Sequence, residues 1–171
     1  MSEFTLRPGT AADAAAVLAL NNASVPHVNA LTADTLAQIV AMSAHYTVAE
    51  DADGILGFVL CIPSGRAYWS ENYAWFAERY ADFLYLDRVA VQPRAHRRGV
   101  GRALYDDLHA RAADRWPCIA LEVNLRPPNA VSDAFHVAMG YEAVGVRTYD
   151  DDTKAVRMYR RALKPQSRRP A

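Results

Sequence analysis

The sequence predicts one domain of mixed α/β class, in which strand-length apolar segments lie both next to one another and between helical segments. A chain of 171 residues has single-domain length, and 51% apolar residues are enough to form a sizeable core. The sequence contains no internal repeat, so a solenoid is not indicated. We therefore expect a single domain over residues 1–163, followed by a basic, Pro-containing tail at 164–171 that we expect to be disordered.

The composition excludes several classes of protein. Nineteen basic and nineteen acidic residues give a net charge of zero, which argues against a protein that coats nucleic acid or an acidic membrane. Cys61 and Cys118 lie far apart and outside any metal-ligand spacing, so the sequence predicts neither a disulfide scaffold nor a metal site and favours a reducing compartment. There is no run of ~18 apolar residues and no signal-peptide pattern, so we expect a cytoplasmic protein.

The first half of the chain is predicted to contain three strands and two helices. A turn signal at Pro8-Gly9 follows the first strand, and Asp51–Gly54 matches a hairpin turn between the other two. Apolar residues at helical spacing predict the helices. In chain order, we expect a strand over Phe4–Arg7, a helix after Thr10, a helix from Thr32, and strands over Tyr46–Ala49 and Ile55–Ile62.

The second half is predicted to contain four strands and two helices. Leu104, Leu108 and Ala112 form one apolar helix face, and Gly140 is a typical residue at a helix end. In chain order, we expect a strand over Leu84–Val91, a helix after Gly101, a strand over Ile119–Val123, a short helix that starts at Ser132 or Asp133 and runs through Met139, and strands over Tyr141–Tyr149 and Ala155–Leu163.

Seven aromatic residues lie between Tyr68 and Phe83. One interpretation is a helix or loop that packs its rings on the sheet, which is the usual place for aromatic side chains. The other is an aromatic wall of a substrate pocket, because polar residues such as Glu71, Asn72 and Arg79 lie among the rings. The sequence leaves both open. In the second interpretation, the candidate pocket residues are Tyr73, Trp75 and Tyr80.

The turn between the strand that ends at Val91 and the following helix has the features of an anion site. Gly99 and Gly101 let the backbone approach an anion, and a helix N-terminus offers unpaired N–H groups and a positive dipole end. The turn lacks the Walker pattern, and Leu104 occupies the third glycine position of a dinucleotide-binding fingerprint. A glycine-containing turn with solvated arginines is the alternative interpretation. The arginines concerned are Arg97, Arg98 and Arg102.

The segment VAVQPRAHRRGVGRAL resembles the signature of the GNAT superfamily of acyl-CoA-dependent N-acetyltransferases. That signature is an apolar strand, a proline, and [QR]-x-x-G-x-[GA] at the start of a helix. A second landmark of the family is an Asn followed by a helix that ends in Gly and an aromatic residue, and Asn129 to Gly140-Tyr141 matches it. The two landmarks together cover residues Leu84 to Val144.

The resemblance implies a fold and a cosubstrate site. It implies a central sheet of about seven strands, mixed but mostly antiparallel, flanked by helices and splayed between strands 4 and 5, with acyl-CoA in the gap. His96 replaces the family's Gln or Arg, which the turn should tolerate because backbone amides hold the pyrophosphate. The resemblance implies that pantetheine is bound by the main chain of Val89, Ala90 and Val91. It implies that the pyrophosphate is bound by His96, Arg97, Arg98, Gly99, Val100, Gly101 and Arg102. It implies contacts on the pantetheine side from Asn129 and Ser132.

The resemblance also implies direct acyl transfer to an amine, which requires a base and which an acid can assist. His136 stands where many relatives carry Tyr, and it is the candidate acid. A histidine that is hydrogen-bonded at a helix–sheet interface is the alternative. Asp87 and Glu122 are equal candidates for the base, because both lie in apolar strands. Ion pairs, for instance with Arg88 and Arg126, are the alternatives for these two carboxylates.

The predicted function is therefore acetyl transfer from acetyl-CoA to a primary amine of a small molecule or protein, without a metal. The alternative is a non-catalytic acyl-CoA-binding sensor or interaction domain, which the replacement of the usual Tyr favours. Seven basic residues between Lys154 and Arg169 are explained by a solvated strand edge and a tail, so neither nucleic acid nor membrane is an expected partner. The sequence is compatible with a homodimer, and it does not identify the acceptor.

Overall fold

The computed structural model of the protein describes residues 3–149 and 151–163, so the tail predicted at 164–171 lies outside the described residues. Seven strands form one sheet in the spatial order β1-β2-β3-β4-β5-β7-β6, flanked by helices. The strands are β1 (Thr5–Pro8), β2 (His45–Asp51), β3 (Gly54–Pro63), β4 (Leu84–Val91), β5 (Cys118–Arg126), β6 (Glu142–Thr148) and β7 (Ala155–Ala162). The helices are α1 (Ala14–Ala23), α2 (Ala33–Met42), α3 (Glu71–Ala77), α4 (Val100–Ala112) and α5 (Ala130–Ala138).

Most neighbouring strands run antiparallel. β2 pairs in this way with β1 and β3, and β7 does so with β5 and β6. β4 and β5 instead run parallel, and they pair at Leu84↔Ile119 and Tyr85↔Ala120. The predicted α/β class and the mixed, mostly antiparallel sheet of seven strands are thus confirmed. The short β4–β5 ladder agrees with the splay that was predicted between strands 4 and 5.

The described chain forms two compact units. The first comprises the residues up to Pro63 together with Leu86–Ala110, and the second comprises Ser64–Tyr85 together with the residues from Arg111 onward. No helix among the described residues has the length and apolar character needed to cross a membrane. Within residues 3–149 and 151–163, no three His, Cys, Asp or Glu side chains are grouped so that they could hold a metal ion.

The first unit buries the apolar faces of its helices together with the inner residues of its strands. The hydroxyl of Thr32 accepts a hydrogen bond of 3.1 Å from the N–H of Thr35, which caps α2 where the sequence predicted a helix to begin. On α4, Leu104 and Leu108 are fully buried, as their spacing predicted. Other buried apolar residues of this unit are Val17, Leu20, Leu36, Ile39, Val48, Leu56, Phe58 and Leu60.

In the second unit, α5 begins earlier than the sequence predicted. We expected a start at Ser132 or Asp133, but the first helical residue is Ala130. The reason is the N-cap: the side-chain oxygen of Asn129 accepts from the N–H of Ser132 at 3.3 Å, and this satisfies an amide of the first turn. Gly140, at a φ of +85°, follows the helix in the left-handed conformation, as expected for a helix end.

Three of the seven rings of the aromatic stretch, together with Tyr85 of β4, lie in the core of the second unit. Phe76 and Phe83 are fully buried, and Tyr73 and Tyr85 are nearly so. The rings of Tyr73 and Tyr85 lie 5.6 Å apart and almost perpendicular, which is a favourable edge-to-face arrangement. Core packing, one of the two interpretations of this stretch, therefore describes these four residues.

Trp75 lies against β6 at Gly145, where a larger residue does not fit. A Cβ atom at Gly145 would lie 2.6 Å from Cζ2 of the indole. The guanidinium of Arg79 covers the same ring at 3.8 Å from its centroid. The β6–β7 register shifts between Ala143 and Gly145, so the contact lies at an irregularity of the strand. The indole therefore requires glycine at this position.

Replacing Gly145 by Ala should lower the free energy of unfolding by about 1–3 kcal/mol, the usual cost of overpacking. This sign is informative because Ala is otherwise preferred to Gly within a strand. Urea denaturation followed by indole fluorescence measures the change. Trp75→Phe removes the Cζ2 atom, so Gly145→Ala should cost less in that background. An equal cost in both backgrounds would contradict the proposed contact.

Candidate active site

The predicted anion-binding turn is an open loop at the start of α4. Gly99 has a φ of +82°, in the left-handed region that favours glycine. The N–H of Ala103 donates to the carbonyl of Gly99 at 2.9 Å, which is the first hydrogen bond of the helix. The amides of the three residues after Gly99 precede this bond, so they have no partner within the helix. They are the groups with which a helix N-terminus binds anions.

Space is available beside this backbone. Apart from Gly99 and its two chain neighbours, no atom of the described residues lies within 4 Å of the position that a Cβ on Gly99 would take. At Gly101 the nearest atom to such a Cβ would be Cγ2 of Val91, at an ordinary contact distance of 3.8 Å. A side chain at Gly101 would therefore fit the fold and would occupy the space through which an anion reaches the amides.

The arginines of the turn divide into two groups. Arg97 is exposed and has a φ of +62°, which is uncommon for a residue other than glycine. The side chain of Arg102 is 70% exposed and lies 3.7 Å from Asp106 of the next helical turn. Such an exposed pair contributes little to stability, so both arginines are available to an anion. Arg98, in contrast, is hydrogen-bonded to Asp51 at 3.3 Å.

Asp51, at the end of β2, anchors this turn. Its buried carboxylate accepts two hydrogen bonds from Arg94, at 3.0 and 3.1 Å, besides that from Arg98. The hydrogen bonds from Arg94 are the main cause that lowers the pKa of Asp51 to about 2. From the sequence, Asp51 is predicted only to belong to a hairpin turn, because no local pattern links it to an arginine 43 positions away.

His96 ties the turn to the end of β4. Its Nε2 atom lies 3.1 Å from the carbonyl oxygen of Val91, and since a carbonyl only accepts, Nε2 is the donor. A Cβ at Gly57 would lie 2.9 Å from the carbonyl of Ala90, so β3 needs glycine there for this close approach. Val89 and Val91 are half-buried on one face of β4. The predicted contacts of Val89, Ala90 and Val91 with pantetheine stay a prediction.

Asp87 forms the ion pair that was the alternative to its catalytic role. Its carboxylate accepts from Nε of Arg88 at 2.7 Å, and both side chains are more than nine-tenths buried. Arg88 also donates to the side-chain oxygen of Asn21 at 3.0 Å and to the carbonyl of Asn29 at 3.3 Å. A buried pair of this kind is costly to break from either side. The role of Asp87 as a base stays a prediction.

Glu122 is held by uncharged donors in the second unit. The hydroxyl of Tyr85 donates to the carboxylate and lies 2.8 Å from both of its oxygens. The amide nitrogen of Asn72 donates to Oε1 at 3.0 Å. Arg126, the other possible partner, instead pairs with Asp152 at 2.7 Å. The carboxylate thus lies in a hydrogen-bonding environment suited to its charged form.

Three further residues surround Asn72. Its side-chain oxygen accepts from Arg147 at 3.0 Å, and its nitrogen also lies 3.4 Å from the hydroxyl of Tyr149. Arg147 pairs with Glu71 and covers the ring of Tyr149 at 4.5 Å from the centroid. The sequence marks Glu71 and Asn72 only as polar residues among the aromatic rings and does not connect them with Arg147 and Tyr149, which lie 75 or more positions away.

His136 is buried and donates its Nδ1 hydrogen to a backbone carbonyl. Nδ1 lies 2.7 Å from the carbonyl oxygen of Ser132, which can only accept, so the neutral ring carries its lone pair on Nε2. Burial lowers the pKa of His136 below its usual value, and the Ser132 carbonyl and Asp133 oppose this only in part. The ring is therefore neutral at pH 7. It stacks on Tyr159, and Tyr141 lies perpendicular to it.

The predicted pocket residues have separate environments. The hydroxyl of Tyr73 accepts from the N–H of Arg66 at 3.0 Å, and its ring is buried. Tyr80 is half-buried, with the guanidinium of Arg160 over its ring at 5.2 Å. Trp75 has the contacts with β6 and Arg79 described above. These contacts favour packing for Tyr73, and a substrate pocket made by Tyr73, Trp75 and Tyr80 stays a prediction.

The structure distributes the predicted site residues over the two units. The turn residues His96 to Arg102, the β4 residues Val89 to Val91 and Asp87 lie in the first unit. Glu122, His136, Asn129 and Ser132 lie in the second, where the last two form the N-terminus of α5. Contacts of Asn129 and Ser132 with a cosubstrate stay a prediction.

Comparisons with known proteins agree with this architecture. The chain is similar to the ribosomal-protein-S18-alanine N-acetyltransferase of Escherichia coli, with 16% identity, a TM-score of 0.74 and 99% of each chain covered. It is similar to Naa20 of Chaetomium thermophilum, solved with a bisubstrate analogue, with 23% identity, a TM-score of 0.74, and 93% of this chain and 86% of that one covered. It is also similar to NAA60 of Arabidopsis thaliana, solved with a bisubstrate analogue, with 14% identity, a TM-score of 0.73, and 96% and 100% covered.

These identities are low, so the structural likeness shows the fold. A search of curated proteins found no match. The model of the acetyltransferase (GNAT) family, however, matches residues 22–141. This range includes the glycine turn at the start of α4 and the helix from Asn129 to Gly140-Tyr141, the two landmarks of the sequence. The match spans more than half of the chain, and the protein therefore belongs to the GNAT family of acetyltransferases.

Proposed function

We propose that the protein transfers an acetyl group from acetyl-CoA to a primary amine of a small molecule or a protein. The observation that carries this proposal is the open turn at Gly99–Gly101, where a helix begins and side-chain positions at both glycines have room. The names of the similar structures support an amine acceptor: the Escherichia coli protein is an alanine N-acetyltransferase, and the other two hold bisubstrate analogues.

The turn fits the pyrophosphate of CoA. Its first-turn amides would hold the phosphate oxygens, and Arg97 and Arg102 would add exposed positive charge. Arg94 and Arg98 would act differently, since Asp51 holds both and they fix the shape of the loop. When bound, acetyl-CoA supplies the activated acetyl group, and the residues of this chain supply binding, orientation and proton transfer.

Glu122 is the proposed base. Its carboxylate would take a proton from the acceptor's ammonium group, which leaves the nitrogen lone pair available for acyl transfer. Tyr85 and Asn72 hydrogen-bond this carboxylate without neutralising its charge. Asp87 is less suited to the same role, because a proton on it would break a buried ion pair with Arg88.

His136 is the proposed acid, acting at Nε2. The proton on Nδ1 is committed to the Ser132 carbonyl, so His136 must first be protonated on Nε2 before it can donate there. Burial lowers its pKa, so this protonated form is a minority at neutral pH. Protonation helps a leaving thiolate whose parent pKa is near ~8.5 but is not indispensable near neutral pH, so a minority protonated form of His136 can still accelerate the reaction.

Replacing Gly101 by Val should abolish stabilisation of the fold by CoA. The valine side chain fits the fold but fills the approach to the amides. For a ligand at 100 times its Kd, the stabilisation in the unchanged protein is about 2.7 kcal/mol. Thermal unfolding with and without CoA measures it. Ala110→Val places the same side chain at an exposed position of α4 and should keep the full effect. If CoA stabilises Gly101→Val equally, the site lies elsewhere.

Glu122→Gln should reduce kcat by about 10²–10⁴-fold, the usual contribution of general base catalysis. The measurement is acetyl-CoA-dependent release of free thiol with a panel of small amines and peptide N-termini. Glu142→Gln makes the same change at an exposed position of β6 and should retain activity. Asp87→Asn, assayed beside them, compares the two candidate bases. Saturable CoA binding without thiol release on any amine would instead support a non-catalytic acyl-CoA-binding domain.

His136→Phe should lower kcat by at least about tenfold with little change in KM for acetyl-CoA. The deficit should be largest at low pH and should shrink as pH rises, because the protonated form that donates is lost above its lowered pKa. The ratio of wild-type to variant kcat between pH 5.5 and 9 measures this. A deficit that grows with pH would instead indicate a base, and an unchanged kcat throughout would exclude a proton-transfer role.

A further inference from the structure

We propose that Tyr85 and Asn72 are positioning residues that hold the Glu122 carboxylate in one orientation and favour its deprotonated form. The inference rests on the proposed function, in which Glu122 is the base. The two donors come from β4 and α3, and the carboxylate from β5, so three elements converge on one group. Uncharged donors suit a base that must accept a proton in each cycle, because a hydrogen bond to the anion is weakened by protonation at a lower cost than a buried ion pair.

Tyr85 is fixed by its ring. Only 1% of the residue is exposed, and the ring packs edge-on against Tyr73 at 5.6 Å. A buried aromatic ring in such contacts has little freedom, so the direction of its hydroxyl is fixed as well. That hydroxyl lies at 2.8 Å from both oxygens of Glu122, and it therefore restrains rotation of the carboxylate.

Asn72 is fixed by its charged neighbour. Its amide could in principle present either oxygen or nitrogen to Glu122. A guanidinium only donates, so the bond of 3.0 Å from Arg147 requires the amide oxygen of Asn72 to face Arg147. The nitrogen then faces Glu122, where it donates at 3.0 Å. Arg147 is itself held by the ion pair with Glu71 and by the ring of Tyr149.

The charged and titratable groups around Glu122 come from every neighbouring element. Within the second unit, α3 contributes Glu71, β4 contributes Tyr85, and β6 contributes Arg147, followed by Tyr149. On β7, Met158 lies opposite Glu122, and Arg160 is the next residue on that face. Substitutions of Tyr85 and Asn72 leave these other charged groups in place. A change in the pH–rate profile of such a variant therefore measures the contribution of the substituted hydrogen-bond donor.

The test is the pH dependence of kcat in two variants. Tyr85→Phe keeps the ring and removes one donor, whereas Asn72→Asp keeps an acceptor for Arg147 and turns a carboxylate oxygen toward Glu122. In both, the ascending limb of the pH–rate profile should move to higher pH by about one unit, because the charged form of the base loses a hydrogen bond or gains a like charge. The loss approaches about tenfold below the pKa of the wild-type limb, and most of it is recovered at high pH. KM for acetyl-CoA should not change.

A control separates this effect from the loss of any buried hydroxyl. Tyr105→Phe removes the hydroxyl of a tyrosine on α4 that is 2% exposed and lies in the first unit, and its profile should match the wild type. A second control is the double variant Glu122→Gln with Tyr85→Phe. If Tyr85 acts through Glu122, it should be no slower than Glu122→Gln alone.

The outcomes distinguish the role of Glu122 as the base from the positioning role of Tyr85 and Asn72. Full activity of Glu122→Gln would reject Glu122 as the base, and the inference with it. A slow Glu122→Gln together with unshifted profiles for both Tyr85→Phe and Asn72→Asp would overturn the inference and leave the base in place. A uniform loss at all pH values would also overturn it, because a purely structural role lowers the amount of active enzyme without moving the limb.

Discussion

The pairing of β5 on both sides is the constraint on which the second unit depends. β5 is bonded to β4 at its start and to β7 along its length, so its first residues are buried between neighbours. Glu122 and Asn124 are the first positions along the strand that are only half-buried. A carboxylate there must be hydrogen-bonded by whatever the adjacent elements present, because an unpaired buried charge is costly. Tyr85 and Asn72 meet this requirement, and the same two hydrogen bonds hold the carboxylate that we propose as the base.

In the first unit, an acidic residue offsets the positive charge around the glycine turn. Four arginines within nine residues of turn would repel one another and leave the loop without a defined shape. Asp51 neutralises part of that charge and binds Arg94 and Arg98, while Arg97 and Arg102 remain exposed. The loop thereby separates the arginines that shape the site from those that can meet an anion. Glycine at the start of the helix leaves the space that the proposed anion needs to reach the backbone amides.

Membership of the GNAT family accounts for the architecture, and the individual chemistry lies in the departures from the family pattern. A histidine stands at position 136, where many relatives have Tyr, so the proposed proton-transfer group is an imidazole, whose charge depends on burial, in place of a phenol. The Ser132 carbonyl fixes the tautomer, so Nε2 is the atom at which the neutral ring takes up a proton. His96 departs from the family's Gln or Arg in the phosphate turn, and there it serves the loop by donating to Val91.

The sequence by itself determined most helices and strands, because each depends on the spacing of apolar residues and on turn residues within a short segment. β4 has the predicted bounds, and α4 begins at the predicted glycine turn. The sequence also nominated Glu122. It could not choose between a base and an ion pair for Asp87 or Glu122, nor connect Asn72 with Glu122, since those partners are far apart in sequence or depend on side-chain direction. Only the tertiary structure decided which groups are buried together, and burial sets both the hydrogen-bond partners and the charge state of a titratable side chain.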